Sequence, residues 1–228
     1  MKATIDFLRR LQRNNDREWF QAHKEEFLKH QARFNTLVDE VIREMAEFDP
    51  DLARLTAKDC TYRIYRDIRF SADKSPYKCH FGAFIAKGGK KAGNAGYYFQ
   101  IGTGGDNEYP YCHMLAAGDY CYKPEVMKIL REDIVSGEGD FDAAVKQADA
   151  SFRLDREDAL KRNPKGFPAD APFSEYIRLK YFCLTARPDD DFWDEKDLAR
   201  RIASRFSTTR PFVNYINRAI EYQREEEE

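Results

Sequence analysis

The chain of 228 residues is poor in several signals that would assign it to a class. It holds five cysteines (60, 79, 112, 121, 183), an odd number, and none stand in CxxC spacing. A secreted disulfide framework is therefore not expected, and a reduced chain is. No apolar run approaches the roughly 18 residues that a bilayer span needs. The opening M-K-A-T-I-D-F-L-R-R has no long apolar stretch and no cleavage-like site. These features place the protein in the cytoplasm, with no membrane partner expected.

Charge of one sign is also lacking. The net charge is −2, so the chain as a whole is not a polyanion coat binder. The glycine-rich stretches G-G-K-K-A-G-N-A-G and G-T-G-G lack the spacing of a phosphate-binding P-loop. They also lack that of a dinucleotide fingerprint between strand and helix. Flexible hairpin loops are the expectation, with lysines of the first able to rim an anion site. No motif calls for a cofactor. There is no internal repeat. What the chain does have is a 42% hydrophobic and 14% aromatic content, enough for a substantial core.

Periodicity gives the elements. Ile5, Leu8 and Leu11 mark a short helix. Asn15 is in position to cap a second helix, with Glu18 at the capping-box position. Phe27, Phe34, Leu37, Val38, Val41, Met45 and Phe48 then continue at helical spacing, predicting one long helix from Asp16 to Phe48. From Tyr62 the period changes to two. Strands are expected over Tyr62–Phe70, Cys79–Ala86, Tyr97–Gly102 and Tyr111–Ala117, joined by short loops and so antiparallel. Helices follow from Pro124 to Gly137 and from Asp140 to Ala148, then short strands at Phe152–Leu154 and Tyr181–Thr185 around a brief helix at Phe173–Leu179. Asp189 or Asp190 caps a helix to Phe206, and a last helix runs over Arg210–Gln223. The fold class is α+β. A mainly antiparallel central sheet is packed by a long N-terminal helix and C-terminal helices, in one domain over 1–228 with an acidic, disordered tail at 224–228.

The most unusual chemistry lies in T-Y-R-I-Y-R-D-I-R-F-S-A-D-K-S-P-Y-K, residues 61–78. From Thr61 to Lys91 the balance is eight Lys/Arg to two Asp/Glu, a basic island in an otherwise acidic chain. Two readings stand side by side. In one, Arg63 and Arg69 give bidentate donors to a phosphate or carboxylate. Lys74 and Lys78 add point charges, and Arg66 and Asp67 orient the set. Ser71, Ser75 and turn amides complete a nest. In the other, Arg66 and Asp67 pair internally, with the long helix or with K-R-N-P-K-G-F. Arg66 falls on the apolar face of the strand, so it needs a carboxylate or backbone oxygens.

Asp67 and Asp73 also bear on general-base or metal chemistry, but carboxylates beside arginines are weak bases. Cys79-His80 and Cys112-His113 suggest zinc, yet neighbouring strand residues point to opposite faces, and no metal site is assigned. Tyr62, Tyr65, Phe70, Tyr77, Tyr97 and Tyr98 interleave with basic residues. Core packing is the expectation for them, and for Trp19 and Phe20, so nucleic acid is the less favoured partner. The functional reading is an anion-binding domain. The alternatives are an enzyme acting on a phosphorylated small molecule and an interaction module for nucleic acid or protein. Catalysis itself is left open.

N-N-D-R-E-W-F, then R-I-Y-R-D-I-R-F-S-A-D-K-S-P-Y-K, then L-K-R-N-P-K-G-F together resemble a bacterial and fungal family catalogued as domain of unknown function 2461. By that resemblance Asn15, Trp19, Phe20, Arg63, Arg66, Asp67, Arg69, Phe70, Asp73, Lys74, Pro76, Tyr77 and Lys78 fall on signature positions. Ala72 stands where a lysine is expected, and Cys79 where a threonine is. The resemblance implies a single-family domain over nearly the whole chain and no particular chemistry.

Overall fold

A computed structural model describes residues 1–105 and 109–227. Asp106, Asn107 and Glu108, in one of the expected glycine-rich loops, and Glu228 of the expected tail lie outside the described residues.

Helix α1 (Lys2–Arg13) buries Ile5, Leu8 and Leu11 with Phe7. The long helix expected from Asp16 is two helices, α2 (Arg17–Ala22) and α3 (Lys24–Met45). They part at His23, whose backbone leaves the helical region (φ −110°, ψ 16°). Its ring stacks on Trp19 at 3.9 Å, and its Nδ1 lies 2.8 Å from the Trp19 carbonyl oxygen. The apolar stripe Phe20, Phe27, Phe34 is buried on both sides of the break, so periodicity does not register it. The cap of α2 is Asp16, not Asn15: its carboxylate accepts the Trp19 N–H at 2.9 Å.

After a 3-10 turn at Pro50–Leu52, helix α4 (Ala57–Cys60) begins with a Thr56/Asp59 capping box. Then come β1 (Phe81–Ile85), β2 (Gly96–Ile101) and β3 (Met114–Asp119). Helix α5 (Pro124–Ser136) has Pro124 at its first position and Gly137 as its C-cap. The chain continues through α6 (Asp140–Lys146), β4 (Arg153–Leu154), α7 (Ser174–Ile177) and β5 (Phe182–Ala186). A 3-10 turn at Asp191–Asp194, with the Asp189 carboxylate accepting the Phe192 N–H at 3.0 Å, precedes α8 (Leu198–Ser207) and α9 (Arg210–Glu227). The strands form one antiparallel sheet in the order β1-β2-β3-β5-β4, so the fold is α+β. In the β4–β5 pair Arg153 faces Thr185 and Leu154 faces Leu184.

The chain groups into two compact units. The first takes Met1–Ala92, Tyr98–Leu115 and Arg187–Ser204. Its core is aromatic: Phe27 stacks on Phe81 at 5.9 Å, and Phe34 meets Phe99 at 5.4 Å. The second takes Gly93–Tyr97, Ala116–Ala186 and the chain from Arg205. Phe141 is its hub, with ring contacts to Tyr176, Phe182, Phe212 and Tyr215. Gly118 (φ +116°) lies so close to Phe182 that an added Cβ would sit 2.1 Å from its carbonyl oxygen. Helix α9 runs through Glu227, past the expected end at Gln223, and Glu227 pairs with Lys123 at 2.9 Å. The acidic stretch from Arg224 to Glu227 is therefore helix rather than disordered tail. Among the described residues no helix is long and apolar enough to cross a membrane.

Candidate anion-binding loop

The basic stretch belongs to the first unit, between α4 and β1. It is not the expected continuous strand. Only two isolated bridges form, Thr61 with Ala83 and Tyr65 with Tyr77. The Tyr62 N–H donates to the Gly82 carbonyl (3.2 Å), Lys78 N–H to Ile64 (2.8 Å) and Arg66 N–H to Pro76 (3.0 Å). Beyond Arg66, side chains take the backbone groups that a strand ladder would use. Asp67 accepts the Arg69 N–H at 3.3 Å, and the Lys74 ammonium donates to the Ile68 carbonyl at 3.0 Å. The result is a loop from Asp67 to Ser75 closed by its own charges.

Arg66 finds what its position requires, a carboxylate and backbone oxygen. Its guanidinium pairs with Asp73 and also donates to the Ser75 carbonyl (3.2 Å) and Ser71 Oγ (3.3 Å). The partner lies within the loop, not in the long helix or in K-R-N-P-K-G-F. In the latter segment Asn163 organises its own surroundings, donating to Ser174 Oγ at 2.9 Å and accepting from Arg178 Nε at 2.8 Å. Asp73 spends its other oxygen on the Ser75 N–H at 2.9 Å. The Ser75 hydroxyl and amide, with the Arg66 guanidinium, hold its carboxyl down at about 2. Asp67 grips Arg69 with both oxygens, at 2.9 and 2.6 Å, and is lowered by that contact.

Two cations of the set make no ion pair among the described residues, although the charge of Arg63 helps to lower Asp67. Arg63 is exposed and has no hydrogen bond or ion pair among the described residues. The Lys78 ammonium rests over the Tyr62 ring at 5.3 Å with no carboxylate partner among the described residues. Burial, then the positive charges of Arg63 and Arg66, push its pKa down. His80 stands two residues on. Burial and the charges of Lys78 and Arg66 push its imidazole down to about 4, so it is neutral at pH 7. Its Nδ1 is buried with no hydrogen-bond partner among the described residues.

Beside the loop is a cleft of about 320 Å³, lined by Arg17 and Gln21 of α2 and by Tyr65, Arg66, Ile68, Pro76 and Tyr77. Asn15 holds the lining residue Tyr77. The Asn15 side chain accepts the Tyr77 N–H (3.1 Å) and donates to the Tyr77 carbonyl (2.9 Å), pairing with that residue as a strand would. The Tyr77 ring stacks on Phe20 at 3.9 Å. Phe20, Tyr77 and Tyr97 are core residues, while Trp19 and Tyr98 are half-buried. Three rings expected in the core are instead exposed: Tyr62 by 41%, Tyr65 by 48% and Phe70 by 95%.

Among the described residues no group of three or more His, Cys, Asp or Glu could hold a metal. Cys79 is buried, and burial pushes its thiol up to about 11. His113 has both ring nitrogens engaged: Nδ1 accepts the Gly102 N–H at 3.2 Å, and Nε2 faces Asp190 Oδ1 at 3.1 Å. Lys90 of the first glycine-rich stretch donates to the carbonyls of Lys58 and Asp59 (3.0 and 3.1 Å), in the last turn of α4 where a cation is favourable.

The family model described as "conserved hypothetical protein (DUF2461)" matches residues 3–215. The chain belongs to this family. No curated protein and no solved structure matches the chain. The matched span takes in α1 to α3, the whole basic loop and both compact units up to the middle of α9. Membership in the DUF2461 family therefore covers every residue of the candidate site.

Three contributors escape a reading of the basic motif alone. Asn15 looks like a helix cap, and only the fold shows it holding Tyr77. Arg17 and Gln21 are ordinary helix-surface residues until the chain brings them to Tyr65. Their one sequence signal is position, in or beside the N-N-D-R-E-W-F segment.

Proposed function

We propose that this member of the DUF2461 family is an anion-binding domain whose ligand carries phosphate or carboxylate, held at the 61–78 loop. One observation carries the reading. Both carboxylates of the loop are committed to ion pairs, Asp73 with Arg66 and Asp67 with Arg69, while Arg63 and Lys78 make no ion pair among the described residues and Lys78 feels the positive charges of Arg63 and Arg66. Like charges held together, one of them partly buried, are costly until an anion arrives. Arg66 is oriented by Asp73 as a donor platform, and Arg17 adds a further guanidinium at the cleft. Lys74 anchors the loop backbone. Arg69 is satisfied by Asp67 and has a lesser role.

Binding is better supported than catalysis. A base works best with a pKa near the operating pH, and both loop aspartates are lowered instead. All five cysteines are free thiols, which fits a reducing, cytoplasmic setting.

Thermal-shift titration with phosphate, sulfate, sugar phosphates, nucleotides and small carboxylates tests the proposal. A ligand that binds only the folded state adds RT ln(1 + [L]/Kd) to stability. The expected result is a saturable rise in Tm with one anion class, lost in Arg63→Ala and Lys78→Ala and kept in Arg69→Ala. A flat panel, or a rise that both Arg63→Ala and Lys78→Ala retain, would refute it.

A further inference from the structure

Resting on that anion site, we infer that its ligand is a single strand of nucleic acid, whose unpaired bases stack on Tyr65 and Phe70 while its phosphates meet Arg63 and Lys78. The sequence argued for core packing of these aromatics, and the structure puts them in solvent. Phe70 is 95% exposed at the end of the loop. The ring is not on a loose segment, because the Arg66–Asp73 pair and the Lys74 anchor close the loop around it. Each exposed ring of the loop has a cation nearby. Arg69 Cζ lies 5.7 Å from the Phe70 centroid, and Lys78 Nζ lies 5.3 Å from that of Tyr62. Tyr65 lines the cleft with Arg17 and Arg66. Alternating aromatic faces and cations form a stacking platform with an electrostatic track, the arrangement that suits unpaired bases on a charged backbone.

The cleft supports the same class. Tyr65 packs against Tyr77 (ring centroids 5.4 Å) and Phe20 (6.1 Å), which fixes its plane while leaving it half-exposed. Gln21 brings a primary amide, donor and acceptor together, which matches the edge of a base. The volume of about 320 Å³ is at the small end for ligand pockets, room for one base rather than a duplex. A duplex hides its base faces from such rings. A membrane partner would want apolar neighbours around Phe70, yet Arg69 and Ser71 flank it. Protein interfaces are poor in lysine, and this loop keeps Lys74 and Lys78.

The test is fluorescence anisotropy of the full chain with a labelled oligonucleotide of about 12 nucleotides, within the usual site size for one domain. An abasic strand of the same length offers the same phosphates without bases. The intact strand should bind about 10-fold or more tighter than the abasic one. Phe70→Ala and Tyr65→Leu should each weaken the intact strand by about 5- to 100-fold and leave the abasic strand unchanged. Phe70→Ala should keep the wild-type melting curve, so its loss of binding is not a loss of fold. Arg63→Ala should weaken both strands alike and flatten the salt dependence. Equal binding of intact and abasic strands, or of single strand and duplex, would overturn the inference but leave the anion site standing. So would tighter binding to vesicles of anionic lipid than to any strand. No response to strands, to phosphate or to any other anion would sink both.

Discussion

At the residue scale, two titrating groups set how the loop responds to acid. The folded-state pKa of Asp73 is depressed to about 2, so its contribution is complete above the ordinary carboxylate value and fades as pH falls toward 2. His80 is also depressed, to about 4, because burial and its cationic neighbours favour the neutral ring. Its contribution is full above 6.5 and is lost as pH falls toward 4. The difference between an ordinary imidazole and one held near 4 corresponds to on the order of 3 kcal/mol. The imidazole proton resonances of His80 should titrate near 4, and His80→Gln should flatten the stability loss between pH 6.5 and 4. A midpoint near 6.5 would contradict the buried environment. Gly104 gives a sharper steric test. Its φ is +66°, and an added Cβ would lie 1.9 Å from Asp190 Oδ1 and 2.6 Å from His113 Nε2. Gly104→Ala should cost about 2 kcal/mol or more in chemical denaturation. A neutral result would mean that the His113–Asp190 pair is loosely held.

At the scale of elements, the loop is a small charge-closed structure on a firmer base. Asp73→Ala removes the partner of Arg66 and the cap on Ser75 together. Trypsin should then cleave after Arg66, Arg69 or Lys74 faster than in the wild type, while the far-UV spectrum stays unchanged. Unchanged cleavage would mean that the ion pair does not order the loop. Asn15→Ala should act from the other side. It leaves the Tyr77 N–H and carbonyl unpaired and should cost about 1–3 kcal/mol.

This is also where the sequence is legible and where it is not. The helix from Pro124 to Gly137 follows from its first-turn proline and its C-cap glycine. Of the strands, β5 alternates buried and half-buried residues, while β1 and β2 are buried almost throughout. The 62–70 stretch shows the same alternation and is no strand. Asp67, Arg69 and Lys74 satisfy backbone groups locally, and Phe70 ends in water. The type of partner that Arg66 requires was legible from its charge. The identity of that partner, Asp73, depended on a turn that periodicity does not encode. The break at His23 and the pairing of Asn15 with Tyr77 were likewise hidden, because each depends on one side chain meeting a distant backbone.

At the scale of the whole molecule, a chain of net charge −2 carries a loop in which Arg63 and Lys78 make no ion pair among the described residues. Anion binding at the proposed site should be strongly salt-dependent. The most direct measurement is a titration of the isotopically labelled chain with inorganic phosphate, followed through backbone amide shifts. Saturable shifts grouped at Arg63, Arg66, Lys78 and Arg17, and absent in Arg63→Ala, are the expected result. Shifts that grow linearly across the surface, or that gather at Lys161–Lys165 instead, would contradict it.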